Sequence, residues 1–283
     1  MNNPLNQDQA LARIEAVFNA ASDYFDAPAL SFWNRFGQRT IDQLSLRSGD
    51  CVLDVGCGSG ASAIPSAIRV GSTGQVLAID LAESLLQLGR QKAQQQGRHN
   101  IEFRAGNFET LGLPDASFDA IACVFGIFFV PDMVAAVREL WRMLRPGGKL
   151  AITSWGEKVF EPANRVFWDA IRAERPDLVK QFTPWDRIRE PDLLKALLEE
   201  GGATQVEVFA EAATHALETP EDWWTMCMGG GYQGTIDQLD VAAQERVRQT
   251  SLQFLQQQQI RALEVNVLYA ISAKRNSKGT ARK

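Results

Sequence analysis

The stretch Val52-Leu53-Asp54-Val55-Gly56-Cys57-Gly58-Ser59-Gly60 constrains this chain more than any other. An apolar run ends in an acid and passes into three glycines at alternate positions. The pattern predicts a short strand over 51–55, buried on both faces. The glycines permit a tight turn and leave bare backbone for a ligand to lie against. A helix is expected from 60 onward, with its first N–H groups turned toward the same ligand. Asp54 sets a carboxylate beside the loop, which suits an ammonium or sulfonium and is awkward for a pyrophosphate.

A second apolar strand, 75–79, also ends in an acid, Asp80, about 20 residues after the last glycine, where a carboxylate can accept both ribose hydroxyls of an adenosine. Gly56 to Ala61 formally fits the dinucleotide fingerprint as well, so a nicotinamide oxidoreductase is the main alternative. A fold that kept its site but lost turnover, a binding scaffold, is the other. Asp54 inside the motif and the later block Pro146-Gly147-Gly148 both favour a sulfonium cofactor.

Asp54, the glycines and Asp80 are joined by Gly106-Asn107-Phe108-Glu109, by Leu113 to Asp119 and by Leu144 to Leu150. Together these residues resemble the S-adenosylmethionine site of class I methyltransferases, in the branch that includes the ubiquinone/menaquinone C-methyltransferases. The resemblance is close over roughly residues 40–155 and loose elsewhere. It implies that Asp54, Gly56, Cys57, Gly58 and Gly60 line the methionine moiety. Asp80 would take the ribose, with Leu81 against the adenine and the Asn107 amide facing its edge. Phe108 would stack on the adenine or narrow its pocket, and Val124 would touch the methionine end. N-terminal helices in such proteins often lid the cofactor and shape the substrate cavity, which singles out Tyr24, Phe25 and Trp33, with Tyr24 expected in the substrate pocket. Phe125, Phe128 and Trp155 end expected strands, where open α/β sheets place ligands, and are the expected acceptor wall.

The expected fold is α/β: a Rossmann-like, mostly parallel seven-stranded sheet with helices on both faces. Two amphipathic helices, 8–25 and 30–46, precede alternating strands (51–55, 75–79, 100–104, 119–124, 148–154) and helices (60–70, 82–96, 131–145). Residues 160–200 read as helical, broken by prolines. The segments 204–210 and 264–273 alternate like antiparallel strands and are expected to form an edge hairpin. Between them an insertion, 218–260, ends in a glutamine-rich polar helix. The organisation is therefore lid helices over 1–48, a cofactor core over 49–156, helical insertions with the last two strands over 157–275, and a basic tail over 276–283.

A hydrophobic content of 45% supports a substantial core, and a net charge of −5 gives no footprint for nucleic acid. The end of the fourth strand, Cys123-Val124-Phe125-Gly126, lacks the Asn/Asp-Pro-Pro-aromatic motif of enzymes that methylate exocyclic amines of bases. The four cysteines form no C-x-x-C pair and lie far in sequence from His99 and His215, so no metal is expected. Reduced thiols and the absence of a secretory leader pattern point to the cytoplasm, and no segment is apolar for long enough to span a membrane. The expected acceptor is a small, largely apolar or aromatic metabolite, methylated on carbon, oxygen or nitrogen. No catalytic base is assigned. Tyr24, His215 and Tyr232 are the conceivable ones, and His215 reads as structural.

Overall fold

The structure is a computed structural model describing residues 7–107, 110–179 and 183–276. The chain enters through α1 (Gln7–Phe25) and α2 (Phe32–Leu44). On α2 the residues Phe32, Phe36, Thr40, Ile41 and Leu44 form one buried stripe at helical spacing. Gly37 lets this helix settle on the backbone of the glycine loop. A Cβ at that position would run into the Ala61 carbonyl.

The core follows as β1 (Cys51–Val55), α3 (Ala63–Val70), β2 (Gln75–Asp80), α4 (Glu83–Gln95), β3 (Ile101–Ala105), β4 (Phe118–Val124), α5 (Met133–Met143) and β5 (Leu144–Trp155). The helix expected from 60 starts later, at Ala63. Gly58 (φ 51°) and Gly60 (φ 91°) are left-handed, so the backbone cannot become helical until both are passed. The strand expected from 148 starts earlier, because Leu144 already pairs with Phe118 before a register shift near Ala120.

Beyond β5 come α6 (Ala163–Glu174), α7 (Pro191–Glu200), β6 (Val206–Glu211), β7 (Thr214–Ala216), α8 (Glu221–Met228), α9 (Gln233–Ile236), α10 (Val241–Gln257), β8 (Ala262–Glu264) and β9 (Val267–Ala273). The main sheet has seven strands in the order β3-β2-β1-β4-β5-β9-β6. The first five run parallel, and β9 is antiparallel to both β5 and β6. The expected edge pair is therefore present, as β6 and β9. The intervening chain adds a two-stranded sheet, β7 with β8, which sequence patterning did not announce. Each of these strands is three residues long, too short to show an alternation. The glutamine-rich stretch is helical, as α10.

Alternate strand residues divide between two layers. Val52, Ala120, Ala122 and Ala151 cluster with Ile41 and Leu44 of α2 and Ala67 of α3. Leu53, Ile121 and Leu150 cluster with Val137 and Leu140 of α5 and Leu194 of α7. Covering both faces leaves one open edge for a ligand, at the carboxyl ends of β1, β2, β4 and β5. Helix α1 crosses that edge, packed between α4 on one side and α8 and α9 on the other.

Candidate active site

The loop after β1 is held by its own backbone. The amides of Gly56 and Cys57 donate to the Ile79 carbonyl at 2.8 and 3.0 Å, and that of Gly60 donates to the Cys57 carbonyl at 2.9 Å. Gly58 N–H donates to Asp80 Oδ2 at 2.8 Å, while Asp80 Oδ1 accepts from Ala82 N–H at 2.9 Å. Asp80 thus ties the glycine loop to the start of α4. Burial raises its carboxyl above the usual range, and the amides of Ala82, Gly58 and Leu81 oppose that rise.

Asp54 lies beneath the loop, fully shielded from solvent. Ser62 Oγ donates to its Oδ2 at 2.6 Å, and its Oδ1 has no hydrogen-bond partner among the described residues. Burial pushes this carboxyl up to about 7; the Ser62 hydrogen bond opposes the rise, and the charge of Asp80 adds to it. A cation arriving beside the loop would favour its ionised form.

A cavity of about 180 Å³ opens at the strand ends. Gly56, Cys57, Asp80, Leu81, Asn107 and Val124 are on its wall, and so are Phe125, Phe128 and Trp155. The remaining expected residues lie elsewhere. Asp54 is under the loop. Gly58 is covered by the Phe25 ring, 3.2 Å from where its Cβ would be, and Gly60 is backed by Phe103 and Ile64 at 3.2 and 3.3 Å. Tyr24 is 40% exposed and is not on the cavity wall; its neighbour Phe25 is. Phe108 lies outside the described residues.

The aromatic part of the wall is continuous. Phe125 and Trp155 stack at 4.1 Å, Trp33 lies 5.5 Å from the first ring and 5.8 Å from the second, and Phe25 stacks on Trp33 at 5.6 Å. Phe125 reaches this position with φ at 55°, a conformation that costs a bulky residue about 1–3 kcal/mol and persists only where packing enforces it. Its amide donates to the Thr153 carbonyl at 2.9 Å, continuing the β4–β5 pairing one residue past β4.

Several wall residues escaped sequence reading. Leu11, Ile14 and Phe18 face the cavity from α1, and Trp185 and Met226 face it from the C-terminal half. The apolar stripe of α1 was a readable signal, but its target was not. Of the conceivable bases, His215 sits on β7 with Nε2 2.9 Å from the Ala29 carbonyl and off the cavity wall. Burial lowers its pKa. Tyr232 does line the cavity, but its hydroxyl donates to Asn164 Oδ1 at 2.7 Å, and burial pushes the phenol well up. Such a group is a poor proton acceptor.

Fold and site are those expected of an S-adenosylmethionine-dependent methyltransferase, and comparison with known proteins shows the chain to be one. The chain belongs to the ubiE/COQ5 methyltransferase family, whose sequence model matches residues 6–169. A ubiquinone/menaquinone biosynthesis C-methyltransferase UbiE of Enterobacter sp. (strain 638) is 31% identical over 209 residues, spanning 69% of this chain and 82% of the relative. Two solved structures share the fold. The YcgJ protein of Bacillus subtilis has a TM-score of 0.56 at 18% identity, covering 86% of this chain and all of the other. A SAM-dependent methyltransferase of Aquifex aeolicus has a TM-score of 0.52 at 22% identity, covering 69% and 91%. The open choice between methyl and hydride transfer therefore falls to the methyltransferase.

The residues present suit such a cofactor. A buried carboxylate oxygen without a hydrogen-bond partner among the described residues lies at the end of β1, and a second carboxylate reaches the cavity at the end of β2. Both match a ligand that brings a cation and hydroxyl groups.

Proposed function

We propose that this enzyme methylates a small, largely apolar or aromatic acceptor, bound against the aromatic wall of the cavity, and acts on neither nucleic acid nor folded protein. The carrying observation is the run of rings Phe25, Trp33, Phe125 and Trp155 directly beside the glycine loop and Asp80. A planar apolar acceptor gains contact area on such walls, whereas a phosphate backbone would meet an acidic protein.

The bound cofactor supplies an activated methyl group, transferred by in-line displacement. The chain's own residues hold and align the reactants and exclude water. In this reading Asp80 takes the ribose, Leu81 and Asn107 border the adenine, and Gly56, Cys57 and Val124 border the methionine end. Asp54 contributes its charge from beneath the loop, and Gly58 and Gly60 shape it. Phe125, Phe128 and Trp155 seat the acceptor, and residues 157–275 form the acceptor-side lobe. The relative's part in ubiquinone/menaquinone biosynthesis, as a C-methyltransferase, puts carbon first among the acceptor atoms to test. Four unpaired cysteines suit the reducing cytoplasm.

The test is incubation with methyl-labelled S-adenosylmethionine and, in parallel, hydroquinones, phenols, transfer RNA and a cell extract. Label in an apolar small product supports the proposal. Label only in RNA, in protein or in strongly anionic metabolites overturns it.

A further inference from the structure

The glycine amides of the loop have little left to offer an anion. The amides of Gly56, Cys57, Gly58 and Gly60 are all spent on the Ile79 carbonyl, Asp80 and the Cys57 carbonyl. Ser62 Oγ is spent on Asp54. Among the described residues the cavity wall carries no lysine, arginine or histidine. Yet the methionine part of the cofactor bears a carboxylate, and burying one without a donor is costly.

Two donors on that wall are buried and free of any partner among the described residues, Thr183 Oγ1 and the indole Nε1 of Trp33, and the ring contacts tie only Trp33 to the glycine loop. Its ring is stacked on Phe25, which in turn covers Gly58, so Trp33 stands where the lid meets the methionine end of the loop. An unpaired buried N–H is itself unfavourable unless a ligand completes it. We propose that Trp33 is a cofactor-binding residue whose indole N–H donates to the methionine carboxylate. The inference rests on the cofactor lying in this cavity as proposed above. It assigns to a lid helix anion recognition that the amides of Gly56, Cys57, Gly58 and Gly60, already bonded, do not supply.

The experiment pairs two ligands with two proteins. S-adenosylhomocysteine and its decarboxylated analogue, which keeps the amine, are titrated calorimetrically into wild type and Trp33→Phe, which retains an aromatic ring. The expected result is an affinity for S-adenosylhomocysteine lowered about 10- to 100-fold in the variant, with the analogue unaffected. An equal loss for both ligands, or no loss for either, overturns the proposal. In ¹⁵N-labelled wild type, one indole N–H resonance should move downfield with S-adenosylhomocysteine and not with the analogue. This readout stands even if the variant does not fold, and identical indole spectra overturn the proposal. Failure of wild type to bind either ligand would instead refute the cofactor site itself.

Discussion

Phe125 and Trp155 end two neighbouring strands, β4 and β5, and their rings stack at 4.1 Å with planes 23° apart. The contact couples strained backbone at Phe125 to the floor of the aromatic wall. Replacing Phe125 by leucine should leave affinity for S-adenosylhomocysteine within about threefold, since an offset ring pair contributes only about 0.5–1.5 kcal/mol beyond its area. Methyl transfer to the acceptor should fall about tenfold or more, because alignment is lost. Single-turnover rates beside calorimetric affinities check this, and equal losses in both would refute it.

Asp80 bonds two backbone amides and reaches the cavity. Asp80→Ala should weaken S-adenosylhomocysteine binding by about 1.5–3 kcal/mol, the range for hydrogen bonds to a charged group. Calorimetry on protein with an unchanged circular dichroism spectrum is the measurement.

Asp54 gives a pH signature. Its carboxyl is pushed up to about 7 from an ordinary 3.8, so across that window the folded chain holds a proton that the unfolded chain has lost. This contribution to stability is full below the window, declines as pH rises through it, and is level above it. Urea unfolding across the window should show that decline in wild type and not in Asp54→Asn. A ligand ammonium favours the ionised form, so S-adenosylhomocysteine affinity should rise with pH toward 7 and lose that slope in the variant.

A latch holds α1 closed. Asp26 Oδ1 accepts from Ser59 Oγ at 2.6 Å and from Lys92 Nζ at 2.8 Å, joining the end of α1 to the glycine loop and α4. Asp26→Ala should speed S-adenosylhomocysteine release by up to about fivefold, since partly exposed ion pairs contribute at most about 1 kcal/mol. Stopped-flow tryptophan fluorescence measures the rate, and added salt should narrow the difference.

Gly37 has no room for a side chain against the Ala61 carbonyl. Gly37→Ala should cost about 1–3 kcal/mol in urea unfolding, as overpacking does. A gain in stability, the usual outcome for alanine within a helix, would show that α2 can back away from the loop.

The alternation of strand and helix, the glycine turn, Asp80 at the end of β2 and the family itself were legible in the sequence. These depend on local rules, such as apolar runs of strand length, glycines where backbone must turn left-handed, and an acid at a set distance. Periodicity likewise marked α1 and α2 as amphipathic. It could not say what their stripes would meet. Between Tyr24 and Phe25, docking alone decides which ring turns inward, and it chose Phe25. The central glycine, Gly58, reads from sequence as bare backbone for a ligand. In the fold it is the seat of that ring. Asp54 reads as a ligand contact and lies instead beneath the loop, held by Ser62. The sequence determined which groups are present and which local turns they make. Only the tertiary structure decided what faces the cavity, because that depends on contacts between segments far apart in the chain, which no local pattern encodes.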